Sequence, residues 1–490
     1  MREQAHAAIR PIVGGTPRVG EIEQLARHHI VEKEAQKTLF WQPWSTAKMD
    51  PTSAAHLHEA LASNRGALLS ACHLGPFFML MSVVTMLGYI PYVVAAPWFF
   101  AKPSLTPYPE SDPGRGRSMH VLFFNEGNLG THIMGQGQLE AALRIGLTDA
   151  EDLQARFAGL SPMGRWASAL ATRPIYPLAR ANLDFHTLRW HLVQSLRARA
   201  ALRRELDAWP ADAVHVHSQS VALTMANTMR TMPVALSVDA TVRDWSEMPA
   251  WRLQKRYAPL LIAPSRAMER WALRRAAIVF AWTAWARRAI EREAPGARVV
   301  EHHPGIDLDH YQPAARSERS LPRVLFVGGR FVAKGGEDLL EALGEQLGRT
   351  VELDLVTPAD VAARPGVRVH HLGPSDPQLL ELQQQADLFC LPSYGDAAPW
   401  ALLEAMACGT PVLASRVGGI PDMLDEGRAG TLIAHGNPRA LREALSALLE
   451  DPARRASLAA AASERCRERY DARRQFARLL DHLQEAVIRR

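Results

Sequence analysis

Residues 389–419 read FCLPSYGDAAPWALLEAMACGTPVLASRVGG. The short apolar run from Asp387 to Leu391, closed by Pro392, has the length and flanks of a buried strand. Asp396 then stands where a helix cap is expected, with Pro399 in the first turn and Leu402, Leu403 and Met406 on one apolar face. Gly409-Thr410-Pro411 ends that helix, Val412 to Ser415 forms a second strand, and Gly418-Gly419 turns the chain. The order is strand, acidic loop, helix bearing the Glu404 carboxylate, turn, strand.

That order suits an anionic ligand with paired hydroxyls. A carboxylate accepts hydrogen bonds from two adjacent hydroxyls, as a nucleotide ribose presents them. A helix N-terminus offers unpaired N–H groups and a positive dipole end to phosphate. Upstream, Arg323 to Val327 predicts another strand, running into Gly328-Gly329-Arg330-Phe331-Val332-Ala333-Lys334-Gly335-Gly336 and a helix with Leu339, Leu340 and Leu343 on one face. Arg330 and Lys334 are the cations this arrangement would set on a diphosphate, the first a planar fork and the second a compact charge.

From residue 119 the chain alternates strands and helices twice over. His120 to Phe124 is a strand followed by Gly127, Gly130, Gly135 and Gly137, and glycines let backbone N–H groups approach phosphate closely. Residues 147–210 read as helical and Arg-rich. Asp212 to His217 is a strand with His215 and His217 on the same face, and Val234 to Val238 is another, ending in Asp239. Each candidate residue follows the C-terminal end of its strand, the edge at which open parallel sheets bind ligands.

The spacing of Asp396, seven residues, then Glu404-Ala-Met-Ala-Cys-Gly-Thr-Pro-Val resembles the donor half of family-4 glycosyltransferases, retaining enzymes of the GT-B fold. The family's first acid is usually Glu, and Ala397-Ala398 stand where Gly and an aromatic are usual. Asp at this place, and the short spacing between Arg330 and Lys334, resemble one branch of the family. Val299 to Pro313, with Pro304-Gly305-Ile306-Asp307, resembles its hinge. The resemblance implies an α/β chain of two facing Rossmann-like lobes. It sets Gly130 and Thr131 nearest the donor phosphates, His217 beside the donor sugar, and Arg330 and Lys334 on the diphosphate. Asp396, Ala398, Pro399 and Glu404 then bind the donor, while Asp239 bonds acceptor or sugar hydroxyls or simply caps its loop. It implies retention by front-face attack, with catalysis resting on positioning and on stabilisation of the leaving diphosphate. No metal and no cofactor are expected beyond the nucleotide-sugar co-substrate, and the acceptor class is a glycan or a lipid-linked carrier.

The 490 residues divide by this reading into a small α/β extension (1–105), a Pro/Gly/Ser-rich linker (106–118), an acceptor lobe (119–313), a donor lobe (314–470) and a C-terminal helix (471–490) that braces the acceptor lobe. Hydrophobic residues at 47% and charged residues at 22% exclude a disordered chain. A net charge of +5 is a mild excess that fits a sugar nucleotide or a phospholipid surface, and no nucleic-acid partner is expected. Cys72, Cys390, Cys408 and Cys466 lack CxxC spacing, which predicts a reducing cytoplasm and neither zinc site nor disulfide framework. The first 37 residues carry charges throughout and no apolar core, so no secretory signal is expected. Location is expected in the cytoplasm, including peripherally at the inner face of a membrane.

Leu74 to Pro97 carries no charge, yet Gly75-Pro76, Gly88 and Pro91 cut it into strand, helix and strand, favouring a buried βαβ piece over a membrane span. With His73-Leu74-Gly75 it resembles the start of a lipid A lauroyl-type acyltransferase, although Phe78 occupies the place of the acid that would orient His73. Two other functions therefore stand beside sugar transfer: a lipid acyltransferase centred on His73, and a non-catalytic nucleotide-sugar-binding protein.

Overall fold

In the computed structural model the residues described are 118–127, 141–142, 146, 153–176, 178–180, 183–250 and 257–489. The chain divides into two units, Met1–Glu110 and Ser111–Arg490, and every described residue belongs to the second. The 1–105 extension with His73, nearly all of the 106–118 linker, and the loop carrying Gly130 and Thr131 lie outside the described residues.

The alternation of apolar runs and amphipathic segments resolves into two six-stranded sheets, every pairing in them parallel. The first contains β1 (Met119–Asn125), β2 (Leu153–Gly159), β3 (Ala213–His217), β4 (Val234–Val238), β5 (Ile278–Ala281) and β6 (Val299–Glu301), in the order β2-β1-β3-β4-β5-β6. The second contains β7 (Arg323–Val327), β8 (Glu352–Val356), β9 (Val367–His370), β10 (Leu388–Leu391), β11 (Val412–Ser415) and β12 (Thr431–Ile433), in the order β12-β11-β10-β7-β8-β9. These are the two Rossmann-like lobes of a GT-B fold.

Around the first sheet lie α1 (Arg165–Thr172), α2 (His186–Ala208), α3 (Ala226–Thr231), α4 (Val242–Glu247), α5 (Ala258–Arg275) and α6 (Ala284–Glu293). The second lobe supplies α7 (Gly336–Leu343), α8 (Pro377–Gln385), α9 (Trp400–Ala407), α10 (Ile420–Met423), α11 (Pro438–Glu450) and α12 (Pro452–Arg469), followed by α13 (Ala472–Ile488). One face of the first sheet packs Leu122, Phe124, Val214 and Leu236 against Leu202 of α2 and Leu273 of α5. The opposite face takes Phe476, Leu479 and Leu483 of α13 onto Val121, Phe123 and Phe280. The chain thus crosses back after α12, whose Ser463 hydroxyl donates to the Met406 carbonyl at 3.3 Å. The crossing is fastened at the segment read as a hinge: Ile306 N–H donates to Tyr470 O at 2.7 Å, and Ala472 N–H to Ile306 O at 3.0 Å.

Two local expectations are corrected. The stretch 147–210 contains an edge strand, β2, ahead of its helices, because β1 offers a free ladder edge and Phe157 stacks on Phe123 with ring centroids 4.8 Å apart. Asp396 does not cap the following helix, which starts at Trp400 with Pro399 at the N-cap position and no side-chain cap. Thr283 and Asn437, by contrast, do cap their helices, accepting from Ala286 N–H at 3.1 Å and Ala440 N–H at 3.0 Å.

Candidate active site

Each sheet reverses its winding once, between β1 and β3 in the first lobe and between β7 and β10 in the second. Loops leaving the C-terminal ends of such neighbouring strands diverge and open a crevice. Lys334 comes from the loop after β7 and Asp396 from the loop after β10, so the two flank the second reversal directly.

They meet there as an ion pair, with the Lys334 ammonium donating to Asp396 Oδ2. The loops are knitted together beneath the pair: Tyr394 N–H donates to Ala333 O at 3.0 Å and Lys334 N–H to Arg330 O at 2.9 Å. Gly335 is required at this crossing. Its φ is +78°, and a Cβ there would stand 2.1 Å from the Pro392 carbonyl oxygen. Asp396 is only 6% exposed. Burial raises its pKa above the usual carboxylate value, opposed by Lys334 and by a bond from Ser393.

From the first lobe, Asp239 approaches the same place. Burial, then the Glu126 carboxylate, with a smaller push from Asp396, drive its pKa up to about 7 against bonds from the backbone at Ala240 and Asp239. Ala240, next to Asp239, packs with Ala397, next to Asp396, so the two lobes face one another at this place. Glu126, directly after β1, was not singled out by sequence; the available signal was its place two residues beyond the strand read from His120 to Phe124.

The Asp239 loop is held from behind. Gln219 Nε2 donates to Ala240 O at 2.6 Å and to Glu269 Oε1 at 3.0 Å, and the same Glu269 oxygen accepts from Val242 N–H at 2.9 Å. Glu269 is fully buried on α5, and burial pushes its pKa up to about 8 even though these bonds pull the other way. The lobes also touch: Ala240 and Met248 pack with Ala397, Ala250 N–H donates to Tyr394 O at 3.3 Å, and Asp422 accepts from Trp285 N–H in the first turn of α6. Beside this contact a cavity of about 870 Å³ is lined mainly by the second lobe, through Arg330, Phe331, Asp338 and Tyr394, with Pro249 and Ala250 of the first at its edge; Lys334, Asp396, Asp239 and Glu404 do not line it.

The remaining expected residues are distributed as follows. Arg330 is exposed on the rim of that cavity. Ala398 and Pro399 are buried at the entrance to α9. Glu404, 5% exposed within α9, accepts from Tyr311 Oη at 3.2 Å and Gln383 Nε2 at 3.3 Å, so its carboxylate is held by the hinge segment and α8. Tyr311 and Gln383 were not anticipated. His217 ends β3 with its ring 5.0 Å from Trp282, and His215 is tied to Ser237 Oγ at 2.8 Å, its pKa lowered to about 3 mainly by burial. Among the described residues, no group of three or more His, Cys, Asp and Glu is placed to hold a metal.

Fold and crevice are of the GT-B class. Residues 164–310 match the family model described as Glycosyltransferase Family 4, and residues 321–451 match the one described as Glycosyl transferases group 1. Each lobe therefore carries a glycosyltransferase-family region.

Among curated relatives, the D-inositol 3-phosphate glycosyltransferase of Mycolicibacterium paratuberculosis is 37% identical over 181 residues, 33% of this chain and 41% of that one. The enzyme of the same name from Thermobispora bispora is 34% identical over 207 residues, 36% of this chain and 48% of that one. The matches thus span less than half the length of these relatives. Among solved structures, sucrose-phosphate synthase from Thermosynechococcus elongatus superposes with a TM-score of 0.58 at 17% identity, covering 76% of this chain and 100% of that one. Anabaena HepE in complex with UDP and glucose gives 0.53 at 16% identity, covering 75% and 100%. These structural likenesses show the fold.

Proposed function

We propose that the protein transfers a sugar from a nucleoside-diphosphate sugar to a hydroxyl acceptor, with retention of configuration. The observation that carries this reading is the Lys334–Asp396 pair at the winding reversal of the second lobe, facing Asp239 of the first. When a donor enters, its diphosphate takes the Lys334 ammonium and Arg330 guanidinium, and Asp396 is released toward the sugar hydroxyls. Glu404 grips the ribose after exchanging its Tyr311 and Gln383 bonds for the two ribose hydroxyls. His217 lies beside the sugar, and Ala398 and Pro399 shape the wall. The loop with Gly130 and Thr131 belongs to the same donor site. Because the cations that neutralise the leaving diphosphate come from the chain, transfer is metal-independent and a chelator leaves it unchanged.

HepE bound to UDP and glucose supports a UDP-sugar as the first donor to try. Relatives named for D-inositol 3-phosphate support a phosphorylated polyol or a polyol-headed lipid carrier as acceptor class. The test is a thermal-shift panel of UDP-, GDP- and ADP-sugars on the purified chain, followed by assay of nucleoside-diphosphate release. One sugar nucleotide should raise the melting temperature and be turned over, and Lys334→Ala and Glu404→Ala should weaken the stabilisation and lower turnover by about 10²–10³. Stabilisation without turnover for any acceptor would instead make this a nucleotide-sugar-binding protein, and no stabilisation by any member would overturn the reading.

A further inference from the structure

In the connection between β2 and β3, the segment 161–183 of the first lobe presents an outward apolar surface to which the proposed donor site assigns no residue. Its large apolar side chains point outward: Trp166 is 79% exposed, Leu170 63%, Tyr176 69%, Leu178 43% and Ile175 40%. Five of the ten large hydrophobic residues found exposed among the described residues fall within this one stretch. The same stretch contains Arg165, Arg173 and Arg180 and no acidic residue, and all three arginines are exposed. Two of them lie over the aromatic rings, Arg165 at 5.3 Å from the Trp166 centroid and Arg180 at 5.8 Å from that of Tyr176.

The outward face is fixed by what holds the inner one. Ala171 is fully buried. From α2, Arg189 donates to the Leu170 carbonyl at 2.7 Å, and Arg197 donates to the carbonyls of Ser161 at 2.6 Å and Pro162 at 3.2 Å. Guanidinium groups of α2 thus hold the backbone before α1 and near its end, with Trp166 and Leu170 on the outward side. A helix with Trp166 and Leu170 outward, followed by a turn with Ile175, Tyr176 and Leu178 outward, and three arginines for which no acidic partner is found among the described residues, have the chemistry of a bilayer interface with anionic headgroups. No described helix is long and apolar enough to cross a membrane, so the contact this surface can make is a docking one.

We propose that residues 161–180 dock the first lobe on an anionic lipid surface, the apolar side chains entering the headgroup boundary and the three arginines engaging lipid phosphates. The assignment does not depend on the sugar-transfer reading, since it is read by binding alone. The experiment is co-sedimentation of the full chain with vesicles of phosphatidylcholine, with and without phosphatidylglycerol. Binding should require phosphatidylglycerol and weaken as salt is raised. Each of Arg165→Gln, Arg173→Gln and Arg180→Gln should weaken it about fivefold, and Trp166→Ser/Leu170→Ser should abolish it while leaving the melting temperature and sugar-nucleotide stabilisation unchanged. If that double variant fails to fold, the exposed arginine variants decide the matter. Absence of binding to the anionic vesicles, or binding that neither set of substitutions changes, would overturn the proposal; the latter would assign membrane contact to another part of the chain.

Discussion

Replacing Lys334 by alanine separates a structural ion pair from a catalytic one. In the wild-type protein Asp396 is 6% exposed and held by the Lys334 ammonium. Removing the ammonium leaves a carboxylate buried without its counter-ion, a loss that costs about 3–5 kcal/mol for a fully buried pair. Two features reduce it here. The Lys334 side chain keeps 20% of its exposure, and Asp396, whose pKa burial already raises, can take up a proton. We expect about 2–3 kcal/mol at neutral pH. The deficit should shrink in acid: with the folded-state pKa raised further, the buried carboxylate is destabilising only above its unfolded value, so lowering the pH relieves it.

The companion substitution Asp396→Asn removes the orphaned charge, so Lys334→Ala/Asp396→Asn should regain most of the lost stability. Turnover should behave oppositely. Loss of a group that stabilises the leaving diphosphate costs about 10²–10³ in rate, and restoring stability does not restore the cation. Urea unfolding and nucleoside-diphosphate release, measured on the three variants, separate the two effects. A Lys334→Ala protein that is destabilised yet releases diphosphate at the wild-type rate would refute the catalytic assignment, leaving Lys334 as a structural partner of Asp396.

Two further outcomes follow from neighbouring groups. Glu269 has its pKa pushed up to about 8 in the folded state, so its own contribution to stability should fall as pH rises from about 4.5 towards 8 by an amount on the order of a few kcal/mol. Glu269→Gln should make the fall across that window smaller than in the wild-type protein, against a background to which Asp239 and Asp396, both raised by burial, add and which His191, His215 and His302, lowered by burial, oppose below about 6.5; parallel curves for the two proteins would show that Glu269 ionises freely. Asp422 of the second lobe accepts from Trp285 N–H of the first and lies 3.7 Å from Arg288. Asp422→Ala should lower stability by about 1 kcal/mol and increase the radius of gyration in solution scattering as the lobes part, whereas an unchanged scattering profile would mean that the remaining contacts, the apolar packing of Ala240, Met248 and Ala397 and the Ala250–Tyr394 bond among them, hold the cleft closed without it.

Much of this architecture is legible from residue order, for a physical reason. Parallel strands buried on both faces must be near-continuous apolar runs, and Arg323–Val327, Val234–Val238 and Val412–Ser415 coincide with the strands read from sequence. Glycines are equally legible where geometry admits nothing else: Gly335 and Gly418 both have positive φ, and a Cβ on Gly418 would stand 1.8 Å from the Asp396 carbonyl oxygen. Local pattern failed where a ladder or a distant partner decided. The strand at 153–159 exists because β1 has an edge to pair with. Asp396 looked like a helix cap because Asp commonly caps helices, yet the ammonium of Lys334, 62 positions away, claims its carboxylate.

The sequence by itself thus determined two parallel sheets and which loops leave their C-terminal edges, since burial and backbone geometry constrain residues near each other in the chain. Tertiary structure alone decided which of those loops meet. It put Lys334 on Asp396, set Asp239 against both Glu126 and Asp396, and turned Glu404 toward Tyr311 and Gln383. The reason is that charge pairing and desolvation act through space, between groups whose separation in sequence carries no trace of it.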